Sequence, residues 1–348
     1  MPQQSAQQAF ATRARVKPSA KEHLSALHAL LLRSRAPAMK DTIRRLTLFG
    51  GSDAPAHVEG PTGSGKSLAF HLLCDTSARR LRSRHSIMLS TLDPSLAYAE
   101  LFGHVRGAFT GSVGERPGLL RMNEGGTLLL DEINSATPSI QGQLLAFVEH
   151  RLVRSLGSDV SDTVDCRIVS ASNAPLEDAV SQDRFRADLC HRLCARRVRL
   201  PGLSERSEDI PDIVDWMAER YYSTRPEDTP RSTLHPELFD VMKAHPWRGN
   251  LRELQSYIES LIDLSPDGSE ITPTQFYAER DQARGSANAD NPEVETNSRT
   301  IAFAEVLLCL ERNGGNKRKT ARELNVRPEA LYTSLKDRKA LRLRGPVR

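Results

Sequence analysis

From about residue 35 to residue 277, short apolar runs alternate with amphipathic stretches and turn residues, the pattern of a sheet layered between helices. Ala56-His57-Val58-Glu59 reads as a short strand, Thr127-Leu128-Leu129-Leu130 as a buried strand and Arg167-Ile168-Val169 as another. Before this region, residues 1–20 are rich in Gln, Ala and Ser without apolar period; Leu24, Leu27, Leu30 and Leu31 then recur at helical spacing. After it the chain turns polar. Gly285-Ser286, Asn288, Asp290, Pro292 and Asn297-Ser298 offer little to pack, so residues 278–299 read as a linker. Helical periodicity returns over 300–343, where Ala321 is small enough for close helix packing and Asn325-Val326 makes a turn. Pro328 suits the first turn of a second helix reaching about Lys339. The predicted organisation is a short N-terminal segment (1–34), an α/β unit (35–215), a helical unit (216–277), a linker (278–299) and a C-terminal helical domain (300–348).

Charge sharpens the last of these. The 348-residue chain carries a net +4, but from Arg312 onward twelve Lys or Arg face three acids, leaving about −5 for the rest. Such asymmetry belongs to a basic nucleic-acid-binding end on a near-neutral body, or to a solvated basic tail. No apolar stretch approaches the ~20 residues that span a bilayer, and the Gln-rich N-terminus lacks a secretory apolar core, which points to the cytoplasm and away from membranes. Cys74, Cys166, Cys190, Cys194 and Cys309 are an odd number without CxxC pairing, so reduced thiols are expected. Cys190 and Cys194 with His191 form an incomplete metal shell, for which packing is the alternative.

The candidate chemistry begins at Gly60-Pro61-Thr62-Gly63-Ser64-Gly65-Lys66-Ser67, which fits GxxxxGK[ST]. At that spacing a glycine-rich turn points backbone N–H groups at phosphate and a helix N-terminus adds its dipole. Lys66 would hold the β and γ phosphates and Ser67 would offer a hydroxyl to Mg²⁺. Downstream, the apolar strand at Thr127 ends in Asp131 and Glu132, the first able to hold Mg²⁺ and the second to polarise water for attack. The order of these elements identifies a P-loop ATPase that binds ATP with Mg²⁺.

Further motifs narrow the class. Glu100-Leu101-Phe102-Gly103-His104 is followed by Gly107-Ala108-Phe109-Thr110-Gly111-Ser112, where glycines flank a turn that can present Phe109 to a partner or close as a hairpin over it. These segments resemble the ELFGH and GAFTGA signature in the AAA+ domain of bacterial enhancer-binding proteins, the activators of sigma-54 RNA polymerase. The resemblance runs from about Arg35 to Tyr277. It implies an α/β AAA+ fold with a parallel sheet between helices, a helical lid, and a loop, Gly107 to Ser112, that engages the sigma factor. It also implies that Ser172-Asn173 stands at the sensor I position and reads the γ-phosphate, and that Arg252 in Trp247-Arg248-Gly249-Asn250-Leu251-Arg252-Glu253-Leu254 is the sensor II arginine. Phe185-Arg186-Ala187-Asp188-Leu189 with Arg192-Leu193 is similar to FREDLxxRL, whose arginines reach a neighbouring subunit's nucleotide, which requires a ring such as a hexamer. Pro201-Gly202-Leu203-Ser204-Glu205-Arg206 with Glu208-Asp209-Ile210 is similar to PPLRERxEDI.

Residues 300–343 resemble the Fis-type helix-turn-helix that closes many of these activators, through Gly315-Asn316-Lys317 and Thr320-Ala321-Arg322-Glu323-Leu324. On that resemblance Arg327, Glu329, Thr333, Lys336 and Arg338 face upstream activating DNA, while a basic helical hairpin for protein contacts is the alternative. Several positions depart from the family. Ser67 replaces a common glutamate, Ser112 the final alanine of the loop, Ser204 an arginine and Arg248 a proline. Ungapped, Met88 occupies the place where the family has an asparagine that restrains the catalytic glutamate, and a thioether cannot make those hydrogen bonds; the alternative is that Ser90 substitutes from a shifted register. About 34 residues ahead of the ATPase region leave no room for a receiver domain of ordinary size, so control is expected from abundance, an inhibitory protein or a mixed ring with a related chain. The sequence therefore reads as an ATP-driven sigma-54 transcription activator. Its rivals are an ATP-binding, DNA-bound regulator that opens no promoter and a general AAA+ remodelling enzyme.

Overall fold

A computed structural model describes residues 29, 31–108, 114–226, 228–265, 267–279, 300–301, 303–324, 326, 331–332, 335–336 and 341–342. The chain divides into two compact units, Met1–Ile213 with Pro246–Leu254, and Val214–His245 with Gln255–Arg348. The first unit runs through α1 (Pro37–Gly50), β1 (Ala56–Glu59), α2 (Lys66–Asp75), β2 (Arg84–Met88), α3 (Pro94–Phe102), β3 (Gly103–His104), β4 (Arg116–Pro117) and α4 (Leu119–Met122). It continues through β5 (Thr127–Asp131), α5 (Pro138–His150), β6 (Leu152–Arg154), β7 (Ser161–Thr163), β8 (Arg167–Ser172), α6 (Leu176–Ser181), α7 (Ala187–Leu193) and β9 (Arg197–Arg199).

Five strands form one sheet in the order β2-β5-β8-β1-β9, and every pairing is parallel. The expected parallel sheet between helices is borne out. All six residues of β8 and the first four of β5 are buried, as strands covered on both faces must be. On one face Val58, Leu129, Val169, Ala171 and Val198 pack with Met39 and Leu46 of α1 and Leu72 and Leu73 of α2. On the other, Leu128, Leu130 and Ile168 pack with Leu144 and Phe147 of α5 and Leu189 of α7. Each such leucine is worth about 1.5–3 kcal/mol of burial, so the sheet centre is where the unit is held.

The helix ends are closed by identifiable partners. Thr137 caps α5 by accepting from Ile140 N, and Pro138 follows at the first helical position. The buried Arg167 guanidinium donates to Phe49 O at 2.7 Å and Gly50 O at 3.1 Å, satisfying carbonyls at the C-terminus of α1. The edge strand β9 is covered from α1, where Thr42 Oγ1 donates to Arg199 O at 2.7 Å and Arg45 to Arg197 O at 3.3 Å.

α8 (Ile210–Ser223) leads into the second unit, which holds α9 (Pro236–Ala244) and most of α10 (Asn250–Asp263). Phe276 anchors it, its ring 4.8 Å from that of Tyr257 and 6.0 Å from that of His245. The sequence places Pro246–Leu254 in the helical unit; in the structure this segment packs with the first unit, because its backbone and side chains bond to the P-loop. Further along the second unit come β10 (Thr300–Ile301), α11 (Phe303–Arg312), α12 (Lys317–Glu323) and β11 (Leu341–Arg342). Val306, Ala321 and Leu331 are buried together there, and Asn316 caps α12 by accepting from Lys319 N at 3.1 Å. No helix among the described residues is long and apolar enough to cross a membrane.

Candidate nucleotide site

β1 delivers the chain to Gly60, and α2 begins at Lys66, so the intervening turn joins a buried strand to a helix N-terminus. Gly63 and Gly65 take φ of 75° and 107°, which side-chain-bearing residues rarely adopt. A Cβ on Gly63 would also lie 2.2 Å from Gly249 O. Every carbonyl from residue 60 to residue 65 has a donor. Lys66 Nζ donates to Gly60 O at 2.9 Å and Pro61 O at 3.3 Å. Asn250 Nδ2 donates to Thr62 O at 2.8 Å, Leu251 N to Gly63 O at 3.0 Å, Arg206 to Ser64 O at 2.7 Å, and Ala69 N to Gly65 O at 3.0 Å. In a planar trans peptide the C=O and the next N–H point oppositely. Carbonyls pulled into the protein therefore turn the amides of Gly63, Gly65 and Lys66 outward, the arrangement that cradles an anion at a helix N-terminus.

The acids close the site. β5 ends at Asp131, and Glu132 follows with φ 52°, a left-handed conformation that costs an ordinary residue roughly 1–2 kcal/mol. Asp131 Oδ1 accepts the Glu132 amide at 2.9 Å and so helps hold that turn. Burial lowers the pKa of the Lys66 ammonium; Asp131 and Glu132 oppose the shift and Arg252 adds to it. These four charged groups thus share one electrostatic site, with Arg252 exposed and Asp131 and Glu132 half-buried. Ser67 is exposed in the first turn of α2. In the parallel register of β2 and β5, Met88 stands opposite Asp131.

Asn173 is exposed immediately past β8, whose last residue, Ser172, accepts the Gly60 amide at 3.2 Å. Arg186 stands just ahead of α7, without a capping bond from its side chain, and pairs with Asp188 at 2.8 Å, while Arg192 in the last turn pairs with Glu149 at 3.0 Å. Both arginines are at least half exposed, at 50% and 62% of their side chains. Cys190 and Cys194 bring their sulfurs to 3.9 Å, and among the described residues no cluster of three or more His, Cys, Asp or Glu could hold a metal.

Of the loop expected to engage the sigma factor, Gly107 and Ala108 are described, whereas Phe109, Thr110, Gly111 and Ser112 lie outside the described residues. The stem is β3 paired antiparallel with β4, and Val105 N donates to Leu156 O at 3.1 Å. Arg327, Glu329, Thr333 and Arg338 also lie outside the described residues; Lys336 is exposed.

Sequence reasoning missed the groups behind the cradle. Arg206 is 3% exposed and Asn250 4%, and Asn250 Oδ1 also accepts Leu203 N at 2.7 Å. Asp209, 6% exposed, accepts from Ser34 Oγ at 2.5 Å and Arg35 N at 2.9 Å, tying the segment ahead of α1 to the same scaffold. The signal that could have found them is the pair of polar motifs, Glu205-Arg206 with Glu208-Asp209 and Gly249-Asn250, in stretches otherwise rich in core residues.

A family model of the sigma-54 interaction domain matches residues 32–199, and one of an AAA+ ATPase lid domain matches residues 204–293. The chain is similar to the transcriptional regulatory protein ZraR of Klebsiella oxytoca, 34% identical over 306 residues that span 86% of this chain and 67% of the relative. It is also similar to the DNA-binding transcriptional regulator NtrC of Rhizobium meliloti, 35% identical over 232 residues, 67% of this chain and 47% of that one. Among solved structures, NtrX from Brucella abortus in complex with ADP aligns with TM-score 0.65 and 26% identity, covering 91% of this chain and 72% of that one. Its complex with ATP aligns at TM-score 0.61 and 25% identity, with the same coverage.

Proposed function

Because this chain belongs to the sigma-54-interacting family of AAA+ ATPases, we propose that it uses ATP hydrolysis to carry sigma-54 RNA polymerase from the closed to the open promoter complex. The observation that supports this most is the cradle itself: the carbonyls of Thr62, Gly63 and Ser64 held inward by Asn250, Leu251 and Arg206, with Asp131, Glu132 and Arg252 acting electrostatically on Lys66. Lys66 binds the β and γ phosphates of ATP within the turn Gly60-Pro61-Thr62-Gly63-Ser64-Gly65, where the amides of Gly63, Gly65 and Lys66 face outward. Ser67 and Asp131 would hold Mg²⁺ through hard oxygen donors, and the ion would there neutralise phosphate charge. Glu132 orients the attacking water, Asn173 reads the γ-phosphate and Arg252 senses it from the first turn of α10. Arg186 and Arg192 act in trans, so the working unit is a ring, either a hexamer of this chain or a mixed ring with a related one.

The loop from Gly107 to Ser112 contacts the sigma factor through Phe109 and Thr110. The basic C-terminal helices, through Arg327, Glu329, Thr333, Lys336 and Arg338, bind DNA upstream of the promoter, and the whole cycle runs in the cytoplasm. Promoter opening by sigma-54 polymerase with ATP tests the reading, comparing the unmodified chain with Lys66→Ala and Thr110→Ala. Opening by the unmodified chain alone supports it; hydrolysis that never opens the promoter overturns it.

Met88 opposite Asp131 favours one second reading, a DNA-bound regulator that binds ATP without opening promoters, since the side chain beside the catalytic acids makes no strong hydrogen bond. Hydrolysis by the intact, assembled chain that runs at the same rate with and without sigma-54 polymerase, and opens no promoter, would select that reading.

A further inference from the structure

The centre of β1 holds an ionisable residue in an otherwise apolar position. His57 has no exposed surface, and both ring nitrogens are engaged, Nδ1 with Ser170 Oγ at 2.9 Å and Nε2 with Ser172 Oγ at 3.1 Å. Both serines sit on β8, opposite in register to His57 and Glu59. The direction of these bonds is determined by proton supply. Ser172 has one hydroxyl proton and spends it on Ala174 O at 2.5 Å, so it must accept from His57 Nε2–H. Nδ1 then carries no proton and accepts from Ser170 O–H. The result is a one-way chain from Ser170 through His57 and Ser172 to the carbonyl of Ala174.

That chain brackets Asn173. The backbone of Ser172 accepts the Gly60 amide at 3.2 Å, the side chain of Ser172 ties down the carbonyl one residue beyond Asn173, and Asn173 itself is exposed between them. A strand end would ordinarily leave such a residue free to drift. Here the P-loop and a buried imidazole fix the peptide on each side of it.

We propose that His57 is a positioning residue: acting through Ser172, it sets where Asn173 meets the γ-phosphate, and so couples the strand that feeds the P-loop to nucleotide sensing. The inference rests on the assignment of Asn173 as the γ-phosphate sensor. Because ADP lacks that phosphate, displacing Asn173 slows hydrolysis and leaves ADP binding intact, whereas general damage to the fold weakens both.

A double-mutant cycle on the full chain tests this, with kcat, KM for ATP and ADP affinity measured for His57→Gln, Asn173→Ala and the pair. The expected result is that each single change lowers kcat roughly tenfold with ADP affinity altered less than about twofold, and that the pair loses no more than either. Loss of kcat by both singles that multiplies in the pair overturns the relay alone. Unimpaired kcat in Asn173→Ala overturns the sensor assignment and the relay with it. Should His57→Gln not fold, Ser172→Ala removes the last hydroxyl of the chain without emptying the strand and takes its place in the same cycle.

Discussion

The side-chain amide of Asn250 donates to the carbonyl of Thr62 at 2.8 Å, across 188 residues of chain. The same side chain accepts Leu203 N, and its backbone sits at φ 54°, a conformation that Asn tolerates better than most residues. Asn250→Ala leaves the buried Leu203 amide without its partner, at about 1–3 kcal/mol, and frees the part-buried Thr62 carbonyl. Asn250→Asp is the more informative change, since it keeps the acceptor for Leu203 and turns the donor at Thr62 into a repelling oxygen. Its expected signature is a loss of ATP affinity of about tenfold or more with a smaller fall in melting temperature than Asn250→Ala, measured by nucleotide titration beside thermal unfolding. Equal affinity in both variants would show that Thr62 is held without it.

Arg206 ties stability to function. Burial lowers its pKa, with Asp209 opposing, and Nε has no hydrogen-bond partner. Removing one member of a buried charged pair is strongly destabilising, because the other is left without its partner. Arg206→Met is therefore expected to lower the melting temperature and, by releasing Ser64 O, to weaken ATP binding by about tenfold in the chain that remains folded. Normal ATP affinity in the folded variant would refute the second part.

What the sequence made legible divides along chain distance. Gly60 to Ser67 and Asp131-Glu132 were readable because consecutive residues build one turn, so their chemistry and geometry are written together. β5 and β8 were readable as apolar runs, since helices cover both their faces. The buttress was not: Arg206 and Asn250 meet the P-loop only after folding, and an isolated Arg or Asn in sequence is usually solvated. β2, Arg84-His85-Ser86-Ile87-Met88, buries Ile87 alone and so shows no strand period. Nothing in the short strand Ala56 to Glu59 singles out His57, and only the register with β8 makes it a connection.

Glu132 and Lys66 separate binding from chemistry. Lys66→Ala removes the cation from the phosphates and is expected to abolish detectable ATP binding. Glu132→Gln keeps the shape and the left-handed turn while removing the base, and is expected to lower kcat by about 100-fold or more with ATP still bound. Single-turnover hydrolysis with labelled ATP distinguishes the two, and a Glu132→Gln chain that fails to retain ATP would move the base elsewhere.

His57 also predicts how stability responds to acid. Its pKa falls from the usual 6.5 to about 4, with burial the main cause and Arg197 adding to it while Glu177 opposes. The folded state therefore refuses a proton that the unfolded chain accepts. The contribution is fully present above about pH 6.5 and is lost progressively as pH falls toward about 4. Between about pH 7.5 and about pH 5 the loss amounts to roughly 2 kcal/mol. Denaturant unfolding of the unmodified chain and of His57→Gln at both pH values should show a steeper acid loss in the former; parallel curves would mean that His57 titrates normally.

Met88 yields the sharpest test of how hydrolysis is restrained. It stands opposite Asp131 at the end of β2, 40% exposed, with a thioether that offers the neighbouring carboxylates no donor. An amide at that position can donate to Glu132 and draw it away from the attacking water, which slows hydrolysis without touching the phosphate contacts. Met88→Asn is thus expected to lower ATP turnover by roughly threefold to tenfold, the worth of about one hydrogen bond, at unchanged KM. Met88→Leu, matched in volume and equally unable to donate, should turn over like the unmodified chain. If sigma-54 polymerase at a promoter restores the rate of Met88→Asn, the acid is being restrained and released; if leucine slows hydrolysis as much as asparagine does, packing at the end of β2 governs the rate and the amide is irrelevant.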